Sequence, residues 1–333
     1  MKQNKTISRK DYNAILLDAI PMLHYLPRCS GGEGTAYFYG DEYVIKEYTN
    51  YHNWGYFDAV FELHCKEMQK YHEKGYAVPE IYAYLKMPNM RYYTGHAENQ
   101  NKYYILEEKL PGRHLFHGFL EDTYHTVRDL FSFSEFKKVI SKPDDNLTEF
   151  KEIVKIFIND YIQMNQLLES LPEAELGRFV AELYDMYLGA TYSVPDIHPS
   201  NILVYDRHLS LIDNQVVVAD EKREKQGYLQ GSFVNDLLNM FFYNNEVFEL
   251  SRGALNSLKN KRSVNFSYLR RENCKVCKAA VLKTVQAMNK YCDNPVVSDY
   301  RSRTLIFSTL NNYLTLDDSV EVMKNIHFAE LGE

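Results

Sequence analysis

The residues with the greatest chemical reach lie in one short stretch, Asp196-Ile197-His198-Pro199-Ser200-Asn201-Ile202-Leu203, followed by Leu211-Ile212-Asp213. Asp196 can orient an attacking hydroxyl and accept its proton. Asn201 and Asp213 offer the oxygen ligands that hold Mg²⁺ against phosphates. Phosphoryl transfer from ATP asks a protein for little more than this positioning and charge stabilisation. The spacing has a mechanical basis. A loop carries Asp196 and Asn201, and two short β runs, Ile202–Tyr205 and Leu209–Ile212, turn at Asp206-Arg207-His208 and lead to Asp213. Asp and Asn in loops also cap turns, so the stretch needs company before it means chemistry.

Upstream, Ser30-Gly31-Gly32-Glu33-Gly34-Thr35-Ala36-Tyr37 is glycine-rich, and glycine lets backbone amides approach phosphate oxygens closely. Val44-Ile45-Lys46 follows, with Lys46 placed 12 residues after Gly34. That separation suits a tight hairpin around Gly40-Asp41.

In this order the motifs resemble the protein-kinase-like superfamily. The D-x-H-x-x-N form of Asp196 to Asn201 is especially similar to the branch holding aminoglycoside phosphotransferases, choline kinases and ABC1-type atypical kinases. Typical Ser/Thr kinases carry Lys where His198 stands. Gly31 and Gly34 match the second and third glycines of G-x-G-x-x-G-x-V and Ala36 the valine, while Cys29 stands at the first glycine. The resemblance covers about residues 30–242 and implies a bilobal α+β fold. A small β-rich N-lobe and a larger helical C-lobe would have an ATP cleft between them. It implies ATP and Mg²⁺ as cofactors, Gly31, Gly32, Gly34 and Thr35 at the phosphates, Lys46 on the α and β phosphates, Asn201 and Asp213 as metal ligands and Asp196 as catalytic carboxylate. A Glu of the following helix should pair with Lys46; Glu67 is the expected one and Glu62 the alternative. Tyr104 to Gly112 resembles the last small-lobe strand and hinge, whose backbone from Glu108 to Leu110 would meet adenine. Asn235-Asp236-Leu237 resembles the large-lobe helix whose Asp braces the catalytic loop, with a plain helix N-cap as the other reading of Asp236.

The pattern also departs from ordinary protein kinases. H-R-D reads Val194-Pro195-Asp196, D-F-G reads Asp213-Asn214-Gln215, and no A-P-E lies before Asp236, only 23 residues after Asp213. Switching by activation-loop phosphorylation is therefore not expected. The expected activity is transfer of the ATP γ-phosphate to a protein Ser/Thr hydroxyl. The alternative is a small-molecule alcohol of aminoglycoside, choline or sugar type. A pseudokinase ranks last, because Lys46, Asp196, Asn201 and Asp213 are all present.

The elements that must position these residues are partly legible. Tyr37, Tyr39, Tyr43 and Ile45 alternate with the period of strands. Phe57, Val60, Phe61, Met68 and Tyr71 predict a helix over 57–74 that Gly75 ends. Ile81–Met87 and Tyr103–Leu106 are two more strands. Asn146-x-x-Glu149 and Ser170-x-x-Glu173 have the form of capping boxes. They would open one helix through Leu168 and a second with the stripe Leu176, Phe179, Val180, Leu183 and Tyr187. Residues beyond about 232 read as mainly helical. The expected organisation is an N-terminal extension over 1–27, an N-lobe over 28–110 and a C-lobe over 111–333. The C-lobe would carry a helical insert near 113–170 and a helical C-terminal region near 243–333.

Bulk composition narrows the partners. Lys+Arg 38 against Asp+Glu 45 gives a net charge of -7, against a nucleic-acid binder, and 45 % hydrophobic residues suffice for a packed core. Cys29, Cys65, Cys274, Cys277 and Cys292 are odd in number and scattered, which suggests free thiols in a reducing compartment. The polar Met1–Lys10 lacks a following apolar stretch of signal-peptide form, and no apolar window would span a membrane. A cytoplasmic protein is expected, with export by a signal-less route left open.

Overall fold

The structure is a computed structural model that describes residues 9–30, 34–48, 54–87, 101–115, 147–216, 233–238, 240–241, 267–293 and 300–328. Gly31 and Gly32 lie outside the described residues, as do Asn146 and most of the predicted 113–170 insert before it. In chain order the elements are α1 (Arg9–Ala19), β1 (Arg28–Ser30), β2 (Gly34–Tyr39), β3 (Tyr43–Tyr48), α2 (Trp54–Glu73), β4 (Ile81–Met87), β5 (Lys102–Glu108) and β6 (Arg113–His114). Then come α3 (Leu147–Ser170), α4 (Glu173–Gly189), β7 (Ser193–Pro195), β8 (Ile202–Tyr205), β9 (His208–Leu211), β10 (Asn214–Val216), α5 (Ser267–Tyr291), α6 (Tyr300–Tyr313) and α7 (Leu316–Asn325). The fold is α+β. The chain forms two compact units, one of residues 1–111, 189–195 and 210–220, the other of 112–188, 196–209 and 221–333.

The first unit is built on an antiparallel sheet of order β1-β2-β3-β5-β4. The β2–β3 hairpin closes on Tyr39↔Tyr43, as the alternating tyrosines predict. Both faces of the sheet are covered. Tyr37, Ile45, Ala83, Tyr104 and Leu106 pack with Leu16, Ala19 and Leu23 on one side. Tyr48, Ile81, Tyr103 and Ile105 pack with Phe57, Phe61, Cys65 and Met68 of α2 on the other. Burial on both faces explains why β5 reads as an unbroken apolar run instead of an alternating one. It also revises the N-terminus: residues 1–27 were expected to be an extension, but Leu16 and Ala19 are buried core of this unit. Gly75, with φ +83, ends α2.

A two-stranded antiparallel ribbon, β7 with β10, completes the first unit and pairs Asn214↔Pro195 and Val216↔Ser193. Sequence reasoning did not anticipate it, because three-residue strands carry no readable period.

In the second unit, Leu176, Phe179, Val180, Leu183 and Tyr187 of α4 are all buried, as their spacing predicts. The start of α4 differs from the expected box. Ser170 is the last residue of α3 and its hydroxyl donates to the Leu167 carbonyl at 2.8 Å. Glu173 instead pairs with Lys290 at 2.5 Å. The β8–β9 hairpin turns through Asp206 (φ 45) and Arg207 (φ 66), two successive left-handed residues as a type I′ turn requires. The C-x-x-C lies on α5, where Cys277 is buried. Among the described residues no helix is long and apolar enough to cross a membrane.

Candidate active-site residues

Lys46 stands on β3, which is hydrogen-bonded to β2 and β5 on its two sides. Its ammonium donates to the Ile212 carbonyl at 2.6 Å and to Asp213 Oδ1 at 3.1 Å. It also lies 3.2 Å from Glu107 Oε1. The structure therefore joins two residues chosen from sequence, Lys46 and Asp213, although 167 positions separate them. Asp213 is delivered by its neighbours. The Leu211 amide donates to the Ala77 carbonyl at 2.9 Å, and Asn214 enters β10 with its side-chain amide on Ser193 Oγ at 3.1 Å.

The charges in this cluster respond to burial and to one another. Burial works against the Lys46 ammonium, yet Asp213 and Glu107 outweigh it and raise its pKa above the ordinary lysine range. Burial pushes the Glu107 carboxyl above the ordinary carboxylate range against the pull of Lys46, and the charge of Asp213 adds to the rise. His64 of α2 is buried beside the same groups. Burial lowers its imidazole to about 4 in spite of Asp213, so the ring is neutral at pH 7. Its Nδ1 has no hydrogen-bond partner among the described residues.

Glu67 does not hold Lys46. Its carboxylate accepts from the backbone amides of Thr191 at 2.8 Å and Tyr192 at 2.6 Å, and from the Tyr71 hydroxyl at 3.0 Å. Those amides lead directly into β7. The expected alternative, Glu62, is exposed and pairs with Lys66 one turn on. Helical spacing showed that α2 bears carboxylates but not which way the helix is rotated. The partner of Lys46 comes from the sheet instead. Lys46 faces Ile105 and Val44 faces Glu107 in the β3–β5 register, so Lys46 and Glu107 share a face as diagonal neighbours. Period-two reasoning across these strands would have found Glu107 had their register been known.

The other expected nucleotide contacts fare unevenly. Gly34 opens β2, and a Cβ there would sit 2.2 Å from the Glu47 carbonyl oxygen, so the close approach of β3 already demands glycine. Thr35 pairs with Glu47 across the strands and hydrogen-bonds the Tyr37 side chain. At the expected hinge, the amides of Glu108 and Lys109 are spent on the carbonyls of Glu80 at 2.8 Å and Glu42 at 2.9 Å. The Leu110 amide has no such partner among the described residues.

The second unit holds the residues of the D-x-H-x-x-N stretch. Asn201 Nδ2 donates to Asp196 Oδ2 at 2.9 Å, and His198 Nε2 lies 3.2 Å from the same oxygen. The loop folds back on itself through His198 N to Asp196 O at 3.0 Å and Asn201 N to His198 O at 2.9 Å. Asp196, His198 and Asn201 are thus brought together as the D-x-H-x-x-N spacing suggests. Asp236 lies inside helical residues 233–238, which removes the N-cap reading. Its Oδ2 accepts from the Tyr187 hydroxyl at 2.8 Å. Burial raises Asp236 to about 6, and the charge of Asp196 pushes the same way.

No family model matches the chain, and no curated protein matches it. Among solved structures it aligns with amicoumacin kinase hAmiN in complex with AMP-PNP, Ca²⁺ and Ami, at 11 % identity over 96 % of each chain with a TM-score of 0.30. It also aligns with APH(2″)-IIa in a streptomycin–ATP ternary complex, at 13 % identity over 87 % of this chain and 96 % of that one, with a TM-score of 0.23.

Proposed function

We propose that this chain is an ATP-dependent phosphotransferase that phosphorylates an alcohol. The observation that carries the reading is the Lys46–Asp213 pair at 3.1 Å. A strand lysine and a post-hairpin aspartate meet at one point, as a phosphate-binding lysine and a metal-binding aspartate must. The donor set fits the implied ion. One ammonium between two carboxylates leaves one negative charge in excess, and Asp213, 39 % exposed, is the carboxylate open to a hard cation.

In this reading Asp213 and Asn201 would hold Mg²⁺, which when bound neutralises charge on the ATP phosphates. Lys46 binds a phosphate oxygen with the N–H that Asp213 gives up when it turns to the cation. Gly31, Gly32, Gly34 and Thr35 line the phosphates, and the Leu110 amide is the hinge donor available to adenine. Asp196 orients the acceptor hydroxyl and takes its proton. His198 and Asn201 keep the Asp196 carboxylate oriented by sharing its Oδ2.

We take a small-molecule alcohol as the acceptor in place of a protein Ser/Thr. The D-x-H-x-x-N form and the short span from Asp213 to Asp236 support this, since that span lacks the A-P-E of a peptide-docking platform. The two structural neighbours are complexes with small molecules, Ami in one and streptomycin in the other.

The test is incubation with Mg²⁺ and γ-labelled ATP in a cell extract beside Asp196→Ala, followed by separation of proteins from small molecules. Label in the small-molecule fraction, lost in the variant, supports the reading. Label on protein bands would return the acceptor to a protein hydroxyl. Absence of transfer to either fraction would defeat the phosphotransferase assignment.

A further inference from the structure

We propose that Glu107 is the standing partner of Lys46, which frees Asp213 to exchange between the lysine and a metal ion. The proposal rests on the phosphotransferase reading and assigns a positioning residue within it. An ammonium has three N–H donors, and those of Lys46 meet Ile212 O at 2.6 Å, Asp213 Oδ1 at 3.1 Å and Glu107 Oε1 at 3.2 Å. The two carboxylates differ in how they are held. Glu107 is 4 % exposed and lies on β5, an interior strand paired with β3 on one side and β4 on the other. Asp213 is 39 % exposed and lies in the two-residue link between β9 and β10.

The helix beside the cluster supplies no competing anion. Its Glu67 is spent on the amides of Thr191 and Tyr192, and its Glu62 is on the surface with Lys66. What α2 does turn toward the cluster is the imidazole of His64 and the thiol of Cys65, each held uncharged by burial. Glu107 is therefore the one buried anion, among the described residues, that Lys46 keeps when Asp213 turns to a cation.

The consequence is electrostatic. A buried ammonium whose sole anion departs is left uncompensated, which is strongly unfavourable. With Glu107 in place, Lys46 stays neutralised when Asp213 turns to a cation. Without Glu107, the cation must compete with Lys46 for Asp213. The lysine is then tied to the sheet and does not depend on a carboxylate from the helix.

The experiment is calorimetric binding of ADP at graded Mg²⁺ to the wild-type chain, Glu107→Gln, Glu107→Asp, Lys46→Met and the Lys46→Met/Glu107→Gln double variant. Glu107→Gln should need about tenfold more Mg²⁺ for half-maximal ADP binding, the scale of losing a residue that orients a metal site from behind. Glu107→Asp should fall between it and the wild type, and it carries the test if the Gln variant does not fold. In the Lys46→Met background the Glu107→Gln shift should vanish, because no ammonium remains to compete. An unchanged Mg²⁺ dependence in Glu107→Gln overturns the assignment while leaving the phosphotransferase reading intact. So does a shift of equal size without Lys46, which would mean that Glu107 acts on the metal by charge alone. A wild-type chain that binds no ADP at any Mg²⁺ concentration overturns both.

Discussion

Glu67 on α2 accepts the backbone N–H of Tyr192 at 2.6 Å, one residue before β7 begins. With Thr191 on its other oxygen, a single carboxylate ties down two successive amides that lie in no helix or sheet. Bonds from N–H groups to a carboxylate are stronger than neutral ones, and removing the carboxylate takes the acceptor from both amides at once. Glu67→Ala should lower stability by about 1–3 kcal/mol and speed hydrogen exchange at residues 191 and 192. Denaturant unfolding and exchange mass spectrometry would show both. Protection unchanged at those two amides would mean that the carboxylate is not what holds the segment.

Gly34 is a test of strand packing. An added Cβ would meet Glu47 O at 2.2 Å and Tyr48 Cα at 3.1 Å, and both are backbone atoms that no rotamer change can move. Gly34→Ala should therefore open the β2–β3 ladder and cost about 1–3 kcal/mol. Gly189→Ala, where nothing lies within 4 Å, is the control and should be nearly neutral. Thermal melts of the two variants side by side decide it. Equal melting temperatures would show that the strands separate at no cost.

Asp236 makes stability depend on pH in a direction opposite to a salt-bridged carboxylate. Its pKa is about 6 in the folded chain against 3.8 ordinarily, with burial the main cause. Between about pH 4 and 6 the folded state holds more protons than the unfolded state, so wild-type stability falls as pH rises through that window. Asp236→Asn keeps an oxygen for the Tyr187 hydroxyl and removes the titration. The variant should match the wild type near pH 4 and gain on it up to about pH 6. The plateau advantage should be on the order of 1–2 kcal/mol, discounted for partial exposure. Melting curves at several pH values read the difference directly.

Asp196 and Asp213 should separate turnover from binding. Asp213→Ala is expected to weaken Mg²⁺-dependent ATP binding, because it removes the exposed carboxylate of the Lys46 cluster. Asp196→Ala is expected to leave ATP affinity nearly intact and reduce turnover by about 10²–10⁴-fold, the usual worth of a positioned general base. Nucleotide affinity and initial rates, measured together, would expose an exchange of the two roles.

Much of this could be read along the chain, and the reason is local. Alternation of Tyr37, Tyr39, Tyr43 and Ile45, the apolar stripe of α4, the stop at Gly75 and the hairpin between Ile202 and Leu211 follow from backbone geometry within a few residues. The D-x-H-x-x-N stretch is equally local, so Asp196, His198 and Asn201 come together as their spacing implies. The three-residue strands β7 and β10 were invisible because they exist only through pairing with each other. The residues before β1 gave no sign that Leu16 and Ala19 would seal one face of the sheet.

By itself, then, the sequence determined which chemical groups this protein possesses and which short elements carry them, because propensity, capping and side-chain period act over one or two turns of chain. Only the tertiary structure decided which carboxylate serves which partner. Strand register set Glu107 diagonal to Lys46, while the rotation of α2 sent Glu67 to the amides of Thr191 and Tyr192. Both are choices among several equally polar residues, made by burial of apolar faces far along the chain, and no short-range pattern encodes them.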